Sequence, residues 1–134
     1  MRLTDCHNFA DFRRLAEKRL PSPIFNYIDG AADDEVTYRR NTAAYEDVDL
    51  VPNVLAGVET VDLSVEVMGQ KLDMPFYCAP TALQRLFHHE GERAVARAAT
   101  KFGTMFGVSS LATVTVEDIA ALAPGPKMFQ FYFH

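Results

Sequence analysis

The sequence predicts an α/β fold, with a helical N-terminal part followed by short apolar strands that alternate with helices. Three observations carry this expectation. Residues 8–45 contain helix-like apolar spacing punctuated by Pro21, Pro23 and Gly30. Leu63-Ser64-Val65-Glu66-Val67 alternates with the period of a half-buried strand. From Pro75 onward, apolar runs at 76–79, 104–108 and 128–133 are separated by two amphipathic helices.

In chain order, Phe9, Phe12, Ala16 and Leu20 share one face of a helix over 8–20, and Pro21 stops it. Ser22-Pro23 reads as an N-cap followed by Pro at the first helical position, opening a helix through Ile24, Phe25, Tyr27 and Ile28 that Gly30 ends. Asp33-Asp34 opens a third helix running to Tyr45, with acids at its positive end. After an irregular stretch holding Pro52 and Gly57, a hairpin is expected, with Gly69-Gln70 as its turn and Lys71–Met74 as its return. Phe76–Ala79 is a buried strand, and Glu90–Gly103 a helix with Val95, Ala98, Ala99 and Phe102 on one face. Thr104–Val108 is a second strand. Thr115 caps a helix with Asp118 as its capping-box acid and Val116, Ile119, Ala120 and Ala123 as its buried stripe, and Met128–Phe133 is a third strand. Residues 1–74 therefore form a helical segment and hairpin, and 75–134 a strand–helix–strand–helix–strand unit.

Two architectures fit that unit: a doubly wound sheet, or the opening of a (β/α)8 barrel. A complete barrel takes about 250 residues, and the third apolar strand ends at His134 with nothing after it to cover it. The expectation is a truncated barrel, part of a longer chain.

Composition narrows the function. Of 134 residues, 49% are hydrophobic and 23% charged, ordinary for a globular chain. The net charge of −5 argues against nucleic acid as a partner. Cys6 and Cys78 are not in metal or redox spacing and suit a reducing compartment. No signal peptide or spanning run is visible, so the expected setting is cytoplasmic, with peripheral contact at the inner face of the membrane left open. His88-His89-Glu90-Gly91-Glu92 matches no standard metal-ligand set, and its acids suit a helix start. No metal site is expected.

Sites in such folds lie at the C-terminal ends of the parallel strands. Those ends carry Pro80-Thr81-Ala82, Ser109-Ser110, and Gln130 with Tyr132. Backbone amides, hydroxyls and a carboxamide suit a neutral heteroaromatic ring with alternating donors and acceptors. On pattern alone the competing explanation stays open: Thr81 and Ser109 cap the following segments, and Gln130 satisfies a backbone group.

The ordered motifs carry further information. Tyr27-Ile28-Asp29-Gly30-Ala31-Ala32-Asp33-Asp34-Glu35 precedes Arg39-Arg40-Asn41. Then come Met74-Pro75, Ala79-Pro80-Thr81-Ala82-Leu83-Gln84, Gly91-Glu92, Ala96-Arg97-Ala98-Ala99, Gly103-Thr104, Ser109-Ser110, Ala112-Thr113 and Phe129-Gln130-Phe131-Tyr132. Together these resemble the FMN-dependent 2-hydroxy-acid dehydrogenase and oxidase family, which includes L-lactate dehydrogenase, glycolate oxidase, flavocytochrome b2 and mandelate dehydrogenase. The resemblance implies the N-terminal helices and first three β/α units of an FMN-binding (β/α)8 TIM barrel.

It also implies roles. FMN is the cofactor. Pro80, Thr81 and Ala82 lie along the flavin, and Ser109 and Gln130 hydrogen-bond its ring. Tyr27 and Tyr132 point their hydroxyls at the substrate, a small 2-hydroxy acid. The implied activity is oxidation of an L-2-hydroxy acid to the 2-oxo acid, L-lactate dehydrogenase-like. An oxygen-using oxidase and a non-catalytic assembly partner are the alternatives, with the electron acceptor unspecified and a homotetramer expected for the full-length protein. The family's histidine base, arginine clamp and flavin-facing lysine come from later barrel strands. None of His7, His88, His89 and His134 matches the base's motif, so no catalytic residue is expected within this chain, and the isolated chain is expected to be inactive and to bind FMN poorly. The sequence departs from the family at Leu111, where many of its oxidases carry Trp. Leu111 leaves room for acids of lactate size or larger. His89 replaces a usual Pro, and Phe131 a usual Leu.

Overall fold

A computed structural model of the protein describes residues 2–133. Its contacts divide the chain into two units, Met1–Val58 and Glu59–His134.

The first unit is helical. Helix α1 spans Phe9–Arg19, α2 spans Ser22–Asp29 and α3 spans Val36–Ala43. The start of α1 is closed reciprocally: Asn8 Oδ1 accepts from the Asp11 amide at 2.9 Å, and the Asp11 carboxylate accepts from the His7 amide at 2.9 Å. That bond from His7, with Arg14 beside it, holds the Asp11 carboxyl below its ordinary range. Leu15 and Phe25 are buried, and Arg13 donates to both Asp29 oxygens, fastening α1 to the end of α2. Asp29, part of the family-like motif, thus has a structural task.

Two helix starts differ from the sequence expectation. Ser22 is not the cap of α2: Pro21 is, and its carbonyl accepts from the Ile24 and Phe25 amides at 2.9 and 3.0 Å, which leaves a Ser22 hydroxyl nothing to cap. Asp33-Asp34 does not open α3. Asp33 and Glu35 sit at φ of 48° and 56°, in the left-handed region, so the chain turns there and becomes helical only at Val36. Glu35 closes that turn by accepting from the Ala31 amide at 3.1 Å.

The second unit begins with a hairpin, β1 Val65–Val67 against β2 Gln70–Leu72, antiparallel. Its turn is Met68-Gly69 rather than Gly69-Gln70. Both turn residues have positive φ, 52° and 72°, the geometry that matches strand twist in a two-residue loop. Leu72 is fully buried, and the Asp73 amide bonds Gly103 O at 2.8 Å, so the hairpin packs with the β/α layer that follows it.

That layer comprises α4 Glu92–Lys101, β3 Phe106–Val108, α5 Val116–Leu122 and β4 Lys127–Phe129. Strands β3 and β4 pair in parallel, and on the other side of β3 Cys78 forms a parallel bridge to Phe106. The expected first strand is therefore an extended segment with one bridging residue, because Pro75 and Pro80 close in on it and lack N–H donors. The third strand is likewise shorter than 128–133. The Gln130 amide bonds Val108 O at 2.8 Å, and beyond it β3 turns away and offers no partner.

Strand alternation sends Phe106 and Val108 toward the helices, where they form the core with Ala96, Ala99, Val114, Ile119 and Ala123. The buried stripe of α4 is rotated from the expected one. Glu92, Ala96 and Ala99 are buried and Val95 is partly buried, whereas Ala98 and Phe102 line an apolar cleft with Met74, Phe76 and Cys78. On α5, Ile119 and Ala123 are buried as expected, but Val116 and Ala120 are exposed. Thr115 caps α5 as expected, accepting from the Asp118 amide at 3.2 Å. The result is an α/β fold with N-terminal helices and a partial, unclosed β/α arrangement. Among the described residues, no helix is long and apolar enough to cross a membrane.

Gly107 sits at the tightest point of the layer. A Cβ there would lie 2.8 Å from Pro80 N and 2.9 Å from Cys78 O, both backbone atoms. Gly107→Ala is expected to lower unfolding stability by about 1–3 kcal/mol, as overpacking does, measured as a lower urea midpoint. An unchanged midpoint would show that the first segment can move away freely.

Candidate functional site

The parallel register assembles the site. Cys78 pairs with Phe106, and Phe106 with Lys127. Carried forward along each chain, this alignment brings Pro80, Val108 and Phe129 level, and then Thr81, Ser109 and Gln130. The strand-end residues singled out from the sequence therefore occupy one rim of the layer.

Polar bonds tie this rim together. Gln130 Oε1 accepts from the Ser110 amide at 3.2 Å and from the Ser110 hydroxyl at 3.0 Å, joining the end of β4 to the turn after β3. Ser109, buried on that turn, accepts from the Leu111 amide through Oγ at 3.1 Å. The Leu83 amide reaches across to Leu111 O at 3.0 Å, and Gln84 Nε2 donates to Thr81 O at 3.2 Å. Local capping and backbone satisfaction by Ser109 and Gln130 are thus present. They leave chemistry over: in these bonds the Ser109 hydroxyl acts only as an acceptor, and the Gln130 carboxamide uses only its oxygen.

One residue that sequence reasoning treated only as a helix-start acid organises the rim. Glu92, the first residue of α4, is 0% exposed. Its Oε1 accepts from the Thr113 amide at 2.8 Å and the Gln84 amide at 3.4 Å, and its Oε2 from the Thr113 hydroxyl at 2.6 Å. Burial pushes its carboxyl up, but the bonds from Thr113, from its own amide and from Gln84 outweigh this and hold it below the ordinary glutamate range. The available signal was the pairing of Gly91-Glu92 with Ala112-Thr113, two motifs that spacing alone does not connect. Burial also pushes the Cys78 thiol up.

Leu111 and Tyr132 are exposed beside the rim, at 51% and 56%. Tyr27 is exposed on α2, in the first unit. In the His88-His89-Glu90 segment, His88 Nδ1 accepts from the Glu90 amide at 3.3 Å, and Glu90 pairs with Arg97.

Residues 16–134 match the FMN-dependent dehydrogenase family. The chain belongs to that family. It is 38% identical over 127 residues to glycolate oxidase 1 of Oryza sativa subsp. indica, covering 95% of this chain and 34% of that one. It is 43% identical over 123 residues to a protein of Mycobacterium tuberculosis named "Putative L-lactate dehydrogenase", covering 91% of this chain and 30% of that one. Among solved structures, a mandelate oxidase crystallised with a difluorinated 2-hydroxy acid superposes with a TM-score of 0.85 at 38% identity, covering 92% of this chain and 37% of that one. The chain thus spans about a third of the length of the relatives it matches.

FMN is the cofactor of this family, and the rim's donor set suits it. A flavin edge alternates acceptors and donors. The Ser109 O–H and the two Gln130 N–H groups are donors that the rim's own bonds leave unspent.

The Glu92 bonds make stability pH-dependent in a definite direction. A carboxyl held below its unfolded value stabilises the fold above the ordinary glutamate range, and that contribution is lost as pH falls through its native value. The urea midpoint of the parent is expected to exceed that of Glu92→Gln by a constant margin near neutrality, narrowing below about pH 4.3. A margin that stays constant into acid would show that the carboxylate form is not what the fold uses.

Proposed function

We propose that this chain contributes the flavin-facing rim of an enzyme that oxidises an L-2-hydroxy acid to the 2-oxo acid with FMN. The observation that carries this reading is the alignment of Thr81, Ser109 and Gln130 on one rung, with the Ser109 hydroxyl and the Gln130 amide available as donors. In this reading Pro80, Thr81 and Ala82 run along the ring, and Ser109 and Gln130 hold its polar edge. When bound, FMN supplies a two-electron acceptor for the substrate's carbon–hydrogen bond. Tyr27 and Tyr132 orient the substrate: a phenol is an uncharged donor that can fix a carboxylate or hydroxyl in an apolar setting. The proton-abstracting base and the arginine clamp are assigned to none of the residues described here.

Glycolate and mandelate oxidases among the relatives favour oxygen as the electron acceptor. The second reading, an L-lactate dehydrogenase, is favoured by the 43% identity to the mycobacterial protein and by Leu111, whose side chain leaves space beside the rim. A cytoplasmic setting is supported by the free thiols of Cys6 and Cys78. Homotetrameric assembly rests on the family resemblance.

The test supplies the gene product that contains this chain with FMN and, in turn, glycolate, L-lactate and (S)-mandelate, in air. The expected outcome is one 2-oxo acid and one hydrogen peroxide per turnover. Reduction of an added dye without peroxide selects the dehydrogenase reading. The 134-residue chain alone is expected to bleach flavin no faster than free FMN does. Failure of all three acids to give a 2-oxo acid, with either peroxide or reduced dye, would overturn the proposal.

A further inference from the structure

We infer that Glu92 is a positioning residue for the flavin: its carboxylate sets the spacing between the two rim turns that carry Thr81 and Ser109. The inference rests on the reading of this rim as the flavin's seat.

A continuous chain of bonds runs from one turn to the other through Glu92. On one side Thr81 O accepts from Gln84 Nε2, and the Gln84 amide donates to Glu92 Oε1. On the other side the Thr113 amide and hydroxyl donate to Glu92 Oε1 and Oε2. The turn leading back to Ser109 is closed by the Ala112 amide on Ser109 O at 3.0 Å and the Leu111 amide on Ser109 Oγ. Thr113 Oγ1 is also the acceptor for the Arg85 amide at 3.2 Å, a second link between the same two turns.

The chemistry requires a carboxylate. Three N–H or O–H donors converge on one buried group, and an ionised carboxyl is acceptor-only at both oxygens. A carboxamide keeps one oxygen for the Thr113 and Gln84 amides but presents N–H groups to Thr113 Oγ1, so the hydroxyl must give up its bond. A methyl leaves the buried Gln84 amide and the half-buried Thr113 amide and hydroxyl without this partner, a costly case for polar groups withdrawn from water. Glu92 itself is anchored by helix α4, whose Ala96 and Ala99 pack into the core, so the two turns are referred to an element fixed by core packing.

The test uses the gene product that contains this chain as the parent and compares it with its Glu92→Gln, Thr113→Val and Glu92→Ala variants, and with Ile119→Val, which trims a fully buried core residue away from the rim. FMN affinity is measured by equilibrium dialysis, and amide exchange is followed at Gln84, Arg85 and Thr113. The expected result is an approximately ten-fold or greater loss of exchange protection at those amides, the scale of one charge-assisted bond, accompanied by weaker FMN binding. The order is Glu92→Ala worst, then Glu92→Gln and Thr113→Val. Ile119→Val is expected to lower the thermal midpoint while leaving FMN affinity unchanged. Should Glu92→Ala not fold, the two isosteric variants decide the matter. Parent-like FMN affinity in both Glu92→Gln and Thr113→Val, with saturable binding by the parent, would overturn the inference alone. An absence of saturable FMN binding by the parent would overturn the reading of the rim itself.

Discussion

Strand β3 is only three residues long, yet the second unit depends on its register. It accepts pairing from Cys78 on one side and from β4 on the other, and the Gly107 amide bonds Cys78 O at 2.8 Å. A single-residue slip would exchange the helix-facing Phe106 and Val108 for Gly107 and Ser109 and destroy the core. The same slip would dismantle the rung of Thr81, Ser109 and Gln130. Folding energy and site geometry are therefore set by one constraint. Core burial of Phe106 and Val108 against α4 and α5 fixes the register, and the register delivers the polar groups to one rim.

Glu92 complements that constraint. Strand pairing ends at Val108 and Gln130, and beyond it the two rim turns share the single backbone bond from the Leu83 amide to Leu111 O. A buried carboxylate at the start of α4 gathers donors from both turns, and its bonds more than offset the burial that opposes its charge. Gln130 performs a related task for β4 by accepting twice from Ser110. The rim is thus ordered by side-chain acceptors placed on rigid elements, an arrangement suited to presenting a flat ligand with fixed donors.

Much of this was legible in the sequence, for identifiable reasons. Helices α1, α2, α4 and α5 follow from apolar spacing with strong punctuation at Pro21, Gly30 and Thr115, and the alternation of apolar runs with helices disclosed the parallel layer. The ordered motifs identified the family. What was not legible depends on competition between local groups. Pro21's carbonyl displaces Ser22 as the cap of α2. Left-handed Asp33 and Glu35 postpone α3, and the hairpin turn moves to Met68-Gly69 because both its residues adopt positive φ. Strand lengths depend on where a neighbour stops, which no single segment encodes. The role of Glu92 was hidden because its partners Gln84 and Thr113 lie in different turns and meet only once the layer forms.

On the reading proposed above, the rung of Thr81, Ser109 and Gln130 holds FMN. This is seen most directly in the backbone amide resonances of the gene product that contains this chain as FMN is added. The largest changes are expected at Ala82, Leu83, Ser109–Leu111 and Gln130, together with the Gln130 side-chain amide. Changes concentrated instead on the helix-facing side, around Ile119 and Ala123, or an unperturbed rim at saturating FMN, would contradict it.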